Sequence, residues 1–161
     1  MKRRYIAIVL AFGGFTTWTH AQAMPPGGTS QQEASKALEE LLLCKPGQLF
    51  NRQKAERAFA KLGLVKQPNE SYVPAKGQKV TVFDASVLRA GISDESDQAE
   101  LTVRVNDRSA DELARQLGIK KQRVDGPAGP EMTYRKNTSK RSSLEIRPDS
   151  PRGATIECVS H

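Results

Sequence analysis

Apolar residues recur along this chain at two spacings, and the change from one to the other marks its elements. Ala34, Ala37, Leu38, Leu41 and Leu42 stand at helical intervals, which predicts an amphipathic helix over residues 31–44. Ser30 and Glu33 make a capping-box pair in front of it, and Lys45-Pro46-Gly47 stops it. Asn51 opens a second helix that carries Ala55, Ala58, Phe59 and Leu62 inward and ends at Gly63. Ser109 and Glu112 open a third, with Ala110, Leu113, Ala114 and Leu117 inward and Gly118 as its stop. Residues 66–79 hold two prolines, one glycine and many polar side chains, and read as loop.

Elsewhere the period shortens to two. Lys79–Asp84, Ser86–Ile92, Glu100–Asn106, Glu131–Lys136, Ser143–Arg147 and Ala154–Ser160 are short runs bounded by turn-forming residues, and read as strands. The third alternates cleanly, with Leu101, Val103 and Val105 on one face and Thr102 and Arg104 on the other. One offset of 55 carries Leu62-Gly63-Leu64 onto Leu117-Gly118-Ile119, Lys66 onto Lys121, and Leu101-Thr102-Val103 onto Ile156-Glu157-Cys158. The pattern points to an internal repeat of residues 51–106 and 109–160.

The fold expected is therefore α+β. An N-terminal helix precedes two helix–three-strand units, whose antiparallel sheet has the helices packed on one face. The opposite face would be solvated, which suits polar Thr102, Arg104, Thr133, Arg135, Glu145, Arg147 and Glu157. In layout this resembles the beta-lactamase-inhibitor-type fold, an exported tandem of helix-plus-sheet units. That family's aromatic-rich concave face and second disulfide have no counterpart here, so no functional residue carries over from it.

The amino end changes the charge count and the compartment. Lys2, Arg3 and Arg4 precede an apolar run from Tyr5 to Phe15, and Ala21-Gln22-Ala23 supplies small residues at the cleavage positions. Residues 1–23 read as a signal peptide cut after Ala23, residues 24–30 as a flexible linker and 31–161 as one domain. The apolar run is too short for a membrane span, and no transmembrane span is expected after cleavage. The expected location is periplasmic or secreted. The mature chain keeps 22 basic against 18 acidic side chains, and no tryptophan. Its two cysteines, Cys44 and Cys158, are an even pair in an exported chain and read as one disulfide. It would tie the first helix to the last strand.

Catalytic parts are scarce. The one histidine after the leader is His161, at the end of the sequence, so neither a nucleophile–histidine system nor a His/Cys metal set can be assembled. Asp94, Glu95, Asp97 and Glu100 cluster without the glycine of a calcium loop, and read as a solvated turn. No catalytic residue, metal or cofactor is expected. The remaining signal is charge: Lys120, Lys121, Arg123, Arg135, Lys136, Lys140 and Arg141 lie in one window with only Asp125 and Glu131. In the expected layout they occupy a loop after the third helix and a strand-to-strand turn, where they would steer an acidic partner. Nucleic acid is disfavoured, because only Tyr134 offers a stacking ring nearby. The function expected is a non-catalytic exported protein-binding module, of the inhibitor or immunity type, whose partner is an acidic exported or envelope protein. The alternative is an envelope-associated structural factor that holds anionic lipid or polymer through the basic loop region.

Overall fold

The computed structural model of the chain describes residues 28–45, 51–95, 98–126 and 129–160. The leader, most of the linker and His161 lie outside them. Three helices, α1 (Gly28–Leu42), α2 (Arg52–Leu62) and α3 (Ala110–Leu117), accompany nine strands. The strands are β1 (Leu64–Lys66), β2 (Tyr72–Pro74), β3 (Thr81–Val82), β4 (Ala85–Glu95), β5 (Gln98–Asn106), β6 (Lys121–Gly126), β7 (Gly129–Asn137), β8 (Ser142–Ser150) and β9 (Gly153–Ser160).

The expected α+β layout of two helix–three-strand units is corrected. Among the described residues the fold is mostly β, with strand at 46% and helix at 28%, and all nine strands belong to one antiparallel sheet. Three strands account for the difference. Residues 66–79 are not a plain loop: β1 and β2 pair there, with Val65 opposite Val73 and Lys66 opposite Tyr72. Lys121–Gly126 is strand rather than loop, and pairs with β7 from Lys121↔Tyr134 to Gly126↔Gly129. Both lie at sheet edges, where short length and charged side chains discourage further strand pairing. The same lysines and arginines hide a strand from a hydrophobicity pattern. The first helix also begins earlier than its capping-box pair implies, so Ser30 lies inside α1 rather than in front of it.

Strand order is β1-β2-β4-β5-β9-β8-β7-β6, with β3 added on β4. Each half is a meander that follows a helix and runs inward from its own edge, and the last strands of the two meanders, β5 and β9, meet at the centre. There Thr102 faces Glu157, two positions related by the offset of 55. Lys66 is opposite Tyr72 in one half, as Lys121 is opposite Tyr134 in the other.

Local chemistry explains the helix ends. Asn51 accepts a hydrogen bond from the Lys54 backbone N–H at 3.0 Å, and α2 stops at Gly63 in the left-handed region (φ 75°). Ser109 and Glu112 cap α3 reciprocally, and it stops at Gly118 (φ 64°). Leu38, Leu42, Phe59, Leu62 and Leu113 of the helices share one buried core with Leu101, Val103, Leu144, Ile146 and Ile156 of the sheet. The Phe59 and Tyr72 rings stand 4.7 Å apart within it. Cys44, just past α1, is bonded to Cys158 on β9, with Cα atoms 5.5 Å apart across 114 positions of sequence. No helix among the described residues is long and apolar enough to cross a membrane.

Candidate functional site

Alternation in β5, β8 and β9 sends Leu101, Val103, Leu144, Ile146, Ile156 and Cys158 into the core, and so sends their neighbours to the other face of the sheet. Strand register then decides which polar groups meet. Glu145 is opposite Glu157 on β8–β9 and opposite Arg135 on β7–β8, while Arg147 is opposite Thr155. Two carboxylates are thus set side by side, with Arg135 next to Glu145 on β7 and Arg147 two positions along β8.

The row is interlocked. Arg147 Nη2 lies 3.2 Å from Glu145 Oε2 and 2.9 Å from Glu157 Oε2, and Arg135 Nε lies 3.3 Å from Glu145 Oε1. The Ser143 hydroxyl reaches the same Glu145 oxygen, and the Thr133 hydroxyl donates to the Ile146 carbonyl at 3.0 Å. At one end Arg104 Nε pairs with Asp149 Oδ2 at 2.9 Å, and the Thr155 hydroxyl donates to that oxygen at 2.7 Å. Thr133, Ser143, Glu145 and Glu157 are buried. This corrects the expectation of a fully solvated face: Thr133, Glu145 and Glu157 are withdrawn from water, while Arg104 stays exposed.

Burial sets the protonation behaviour. Glu157 is pushed up to about 7 by desolvation, opposed by Arg147 and reinforced by Glu100, Glu145 and Asp149. Burial also works against the charge on Arg147, but the Glu157 charge and the hydrogen bond to Glu145 outweigh it and hold the guanidinium above its ordinary value. Arg135 Nε is buried without a hydrogen-bond acceptor, because its approach to Glu145 has ion-pair distance but not hydrogen-bond geometry.

The seven basic residues singled out from the sequence do not form one cluster. Arg135, Lys140 and Arg141 line a cavity of about 210 Å³ at the β7–β8 turn, together with Asn137, Ser139, Ser142 and Ser143. Lys120 precedes β6, and Lys121 and Arg123 lie along it. The Lys121 ammonium stands 5.6 Å from the centre of the Tyr134 ring, a cation–π arrangement. Lys136 is exposed and opposite Leu144, on the alternate face from Arg135. In the acidic β4–β5 hairpin, Asp94 is exposed and Glu100 accepts a hydrogen bond from the Thr102 hydroxyl at 2.7 Å; Asp97 lies outside the described residues. Among the described residues no group of three or more His, Cys, Asp or Glu side chains is placed to hold a metal ion.

The polar row, rather than the turn alone, is what the sequence reading missed as a site. Its members were legible as polar alternate positions, but their meeting depends on the pairing of β8 with β7 and β9. Comparison with protein-family models, curated proteins and solved structures finds no match to this chain.

Proposed function

We propose that the chain is an exported, non-catalytic protein-binding module whose polar sheet face docks an acidic partner protein, as an inhibitor or immunity protein docks its target. The observation that carries this reading is the interlocked row Arg135–Glu145–Arg147–Glu157. Side chains held on a sheet by mutual ion pairs lose little further freedom when a partner arrives, and binding is favoured by that preorganisation. The cations along β6 and in the β7–β8 turn would attract an acidic protein from a distance and speed the encounter. The Cys44–Cys158 bond supports an oxidising compartment, in keeping with cleavage after Ala23. The inward-running meanders, with Gly63 and Gly118 in matching helix stops, support descent from a duplicated unit.

The test uses the oxidised protein as bait against the exported proteins of the producing cell and its competitors. Thr102 is at the centre of the sheet, opposite Glu157 and hydrogen-bonded to Glu100, and Thr102→Arg obstructs the face by its bulk, its charge set against those two acids. A stoichiometric acidic partner should bind the native bait, be lost with Thr102→Arg, and associate about tenfold more slowly with Lys121→Ser/Arg123→Ser at low salt. A partner indifferent to Thr102→Arg would overturn the sheet-face reading, and capture of lipid or polymer alone would replace it with the envelope-associated alternative.

A further inference from the structure

We propose that the cavity at the β7–β8 turn is a binding site for a phosphate-type oxyanion. It shares Arg135 and the turn cations with the sheet-face reading, but a small anion needs no protein partner, so the two readings can fail separately.

Three cationic side chains, Arg135, Lys140 and Arg141, line the cavity with Asn137, Ser139, Ser142 and Ser143, and no carboxylate is among the lining residues. Among the described residues neither Lys140 nor Arg141 pairs with a carboxylate. Arg135 is the one cation of the three with an acid nearby, Glu145 at 3.3 Å. That acid also holds Arg147 and accepts from Ser143, so its charge is shared. Arg135 Nε is itself buried against Glu145, and the cavity meets the outer part of a side chain that is 33% exposed.

The hydroxyls of the turn form one connected chain. The Arg141 backbone N–H donates to Ser139 Oγ at 3.1 Å, and Ser139 Oγ lies 2.7 Å from Ser142 Oγ. Ser142 Oγ in turn lies 3.0 Å from Thr138 Oγ1, which donates to the Ser142 carbonyl at 3.2 Å. When Ser142 donates to Ser139, the Ser139 hydroxyl is free to donate to an anion, at the cost of the Ser142–Thr138 hydroxyl contact, because the one Thr138 proton is held by the Ser142 carbonyl. Backbone bonds from Thr138 and Ser139 to the Ser142 carbonyl hold the turn in this shape. A tetrahedral oxyanion matches this set: its several oxygens accept from planar guanidinium forks and from hydroxyls together. A single carboxylate would leave donors idle. The space accommodates such an ion with a few waters, each water taking up about 30 Å³ in the liquid.

The experiment titrates inorganic phosphate into the oxidised, isotope-labelled full chain, against chloride at matched ionic strength, and follows the amides of residues 139–143 and the Arg135 Nε–H. Saturable shifts confined to that turn are expected. Lys140→Ser and Arg141→Ser should each weaken phosphate about tenfold, whereas Lys136→Ser, the same charge change outside the cavity, should leave it within about twofold. Vesicles of phosphatidylglycerol separate the sources of the ligand. Sedimentation with vesicles, reversed by excess phosphate, identifies a surface-borne phosphate, and no sedimentation with retained phosphate binding identifies the free ion. Shifts that never saturate, that extend equally to Lys121 and Arg123, or that respond to Lys136→Ser as strongly as to Arg141→Ser would overturn the proposal.

Discussion

Glu157 should make the native chain less stable as the medium becomes more alkaline. In the folded state its carboxyl is raised from 4.5 to about 7, chiefly by desolvation. Its side chain is only 9% exposed, so the shift is not screened away by solvent. Each pKa unit corresponds to about 1.4 kcal/mol, so ionised Glu157 costs the native state about 3 kcal/mol relative to its protonated form. The sign follows from proton counting. Between pH 4.5 and about 7 the folded chain holds a proton on Glu157 that the unfolded chain has released, and stability falls by about 1.4 kcal/mol per pH unit. Glu70 and Glu112 are lowered, by the Lys66 hydrogen bond and the Ser109 backbone hydrogen bond respectively. The stability they contribute is present above their unfolded value and lost only as pH falls below it, so they leave this window flat. Glu157→Gln removes the charge and keeps an oxygen for Arg147, which Glu145 continues to hold at 3.2 Å. Urea unfolding of the oxidised chain, followed by circular dichroism, should show a gain of about 3 kcal/mol at pH 8 and less than about 1 kcal/mol at pH 5. An equal loss at both pH values would refute the reasoning. It would mean that Glu157 is ionised throughout and that its pair with Arg147 is net stabilising.

The bond between Cys44 and Cys158 closes a loop across 114 positions, so replacing both cysteines with serine should cost about 4–5 kcal/mol on the chain-entropy model, measured as a lower urea midpoint with a steeper slope, because the unbridged unfolded chain is more expanded. Phe59 is fully buried against Tyr72; Phe59→Ala should cost about 3–5 kcal/mol in the same assay. Ser109→Ala removes the hydroxyl half of the α3 capping box and should cost about 1 kcal/mol, with Ser109→Gly costing only a few tenths.

How far the sequence could be read depended on whether a signal was local. α2 and α3 were legible to within a residue or two, because cap, apolar stripe and left-handed glycine all lie within a dozen positions. The cores of β5, β8 and β9 were legible from strict alternation, and the cysteine pair from compartment and parity. β1 and β2 escaped because three residues ending in lysine or proline carry no period. β6 escaped because Lys121, Gln122 and Arg123 look like solvated loop, when charge at a sheet edge is a device against further pairing. The polar row is a third case. The parity that puts Arg135, Glu145, Arg147 and Glu157 on one face was readable, but their distances follow from β8 lying between β7 and β9, which is set by pairings distant in sequence. Burial of Glu145 and Glu157 likewise depends on neighbours on both sides of the sheet, which no window along the chain contains.

The placement of β9 has a consequence for the nascent chain. It is the last strand of the described fold, yet it lies at the middle of the sheet, between β5 and β8. A chain emerging amino end first has β1–β5 available as one meander and then β6–β8 as another, with no strand pairing to join them. Cys158 cannot meet Cys44, nor Glu157 meet Arg147, until this strand arrives. Two open strand flanks, on β5 and β8, are therefore exposed for as long as it is missing, which is when such chains are most prone to associate wrongly. Loss of this strand would leave neither a smaller version of the sheet nor half of the polar row, but two separate hairpin arrays with the oxidisable thiol of Cys44 uncovered.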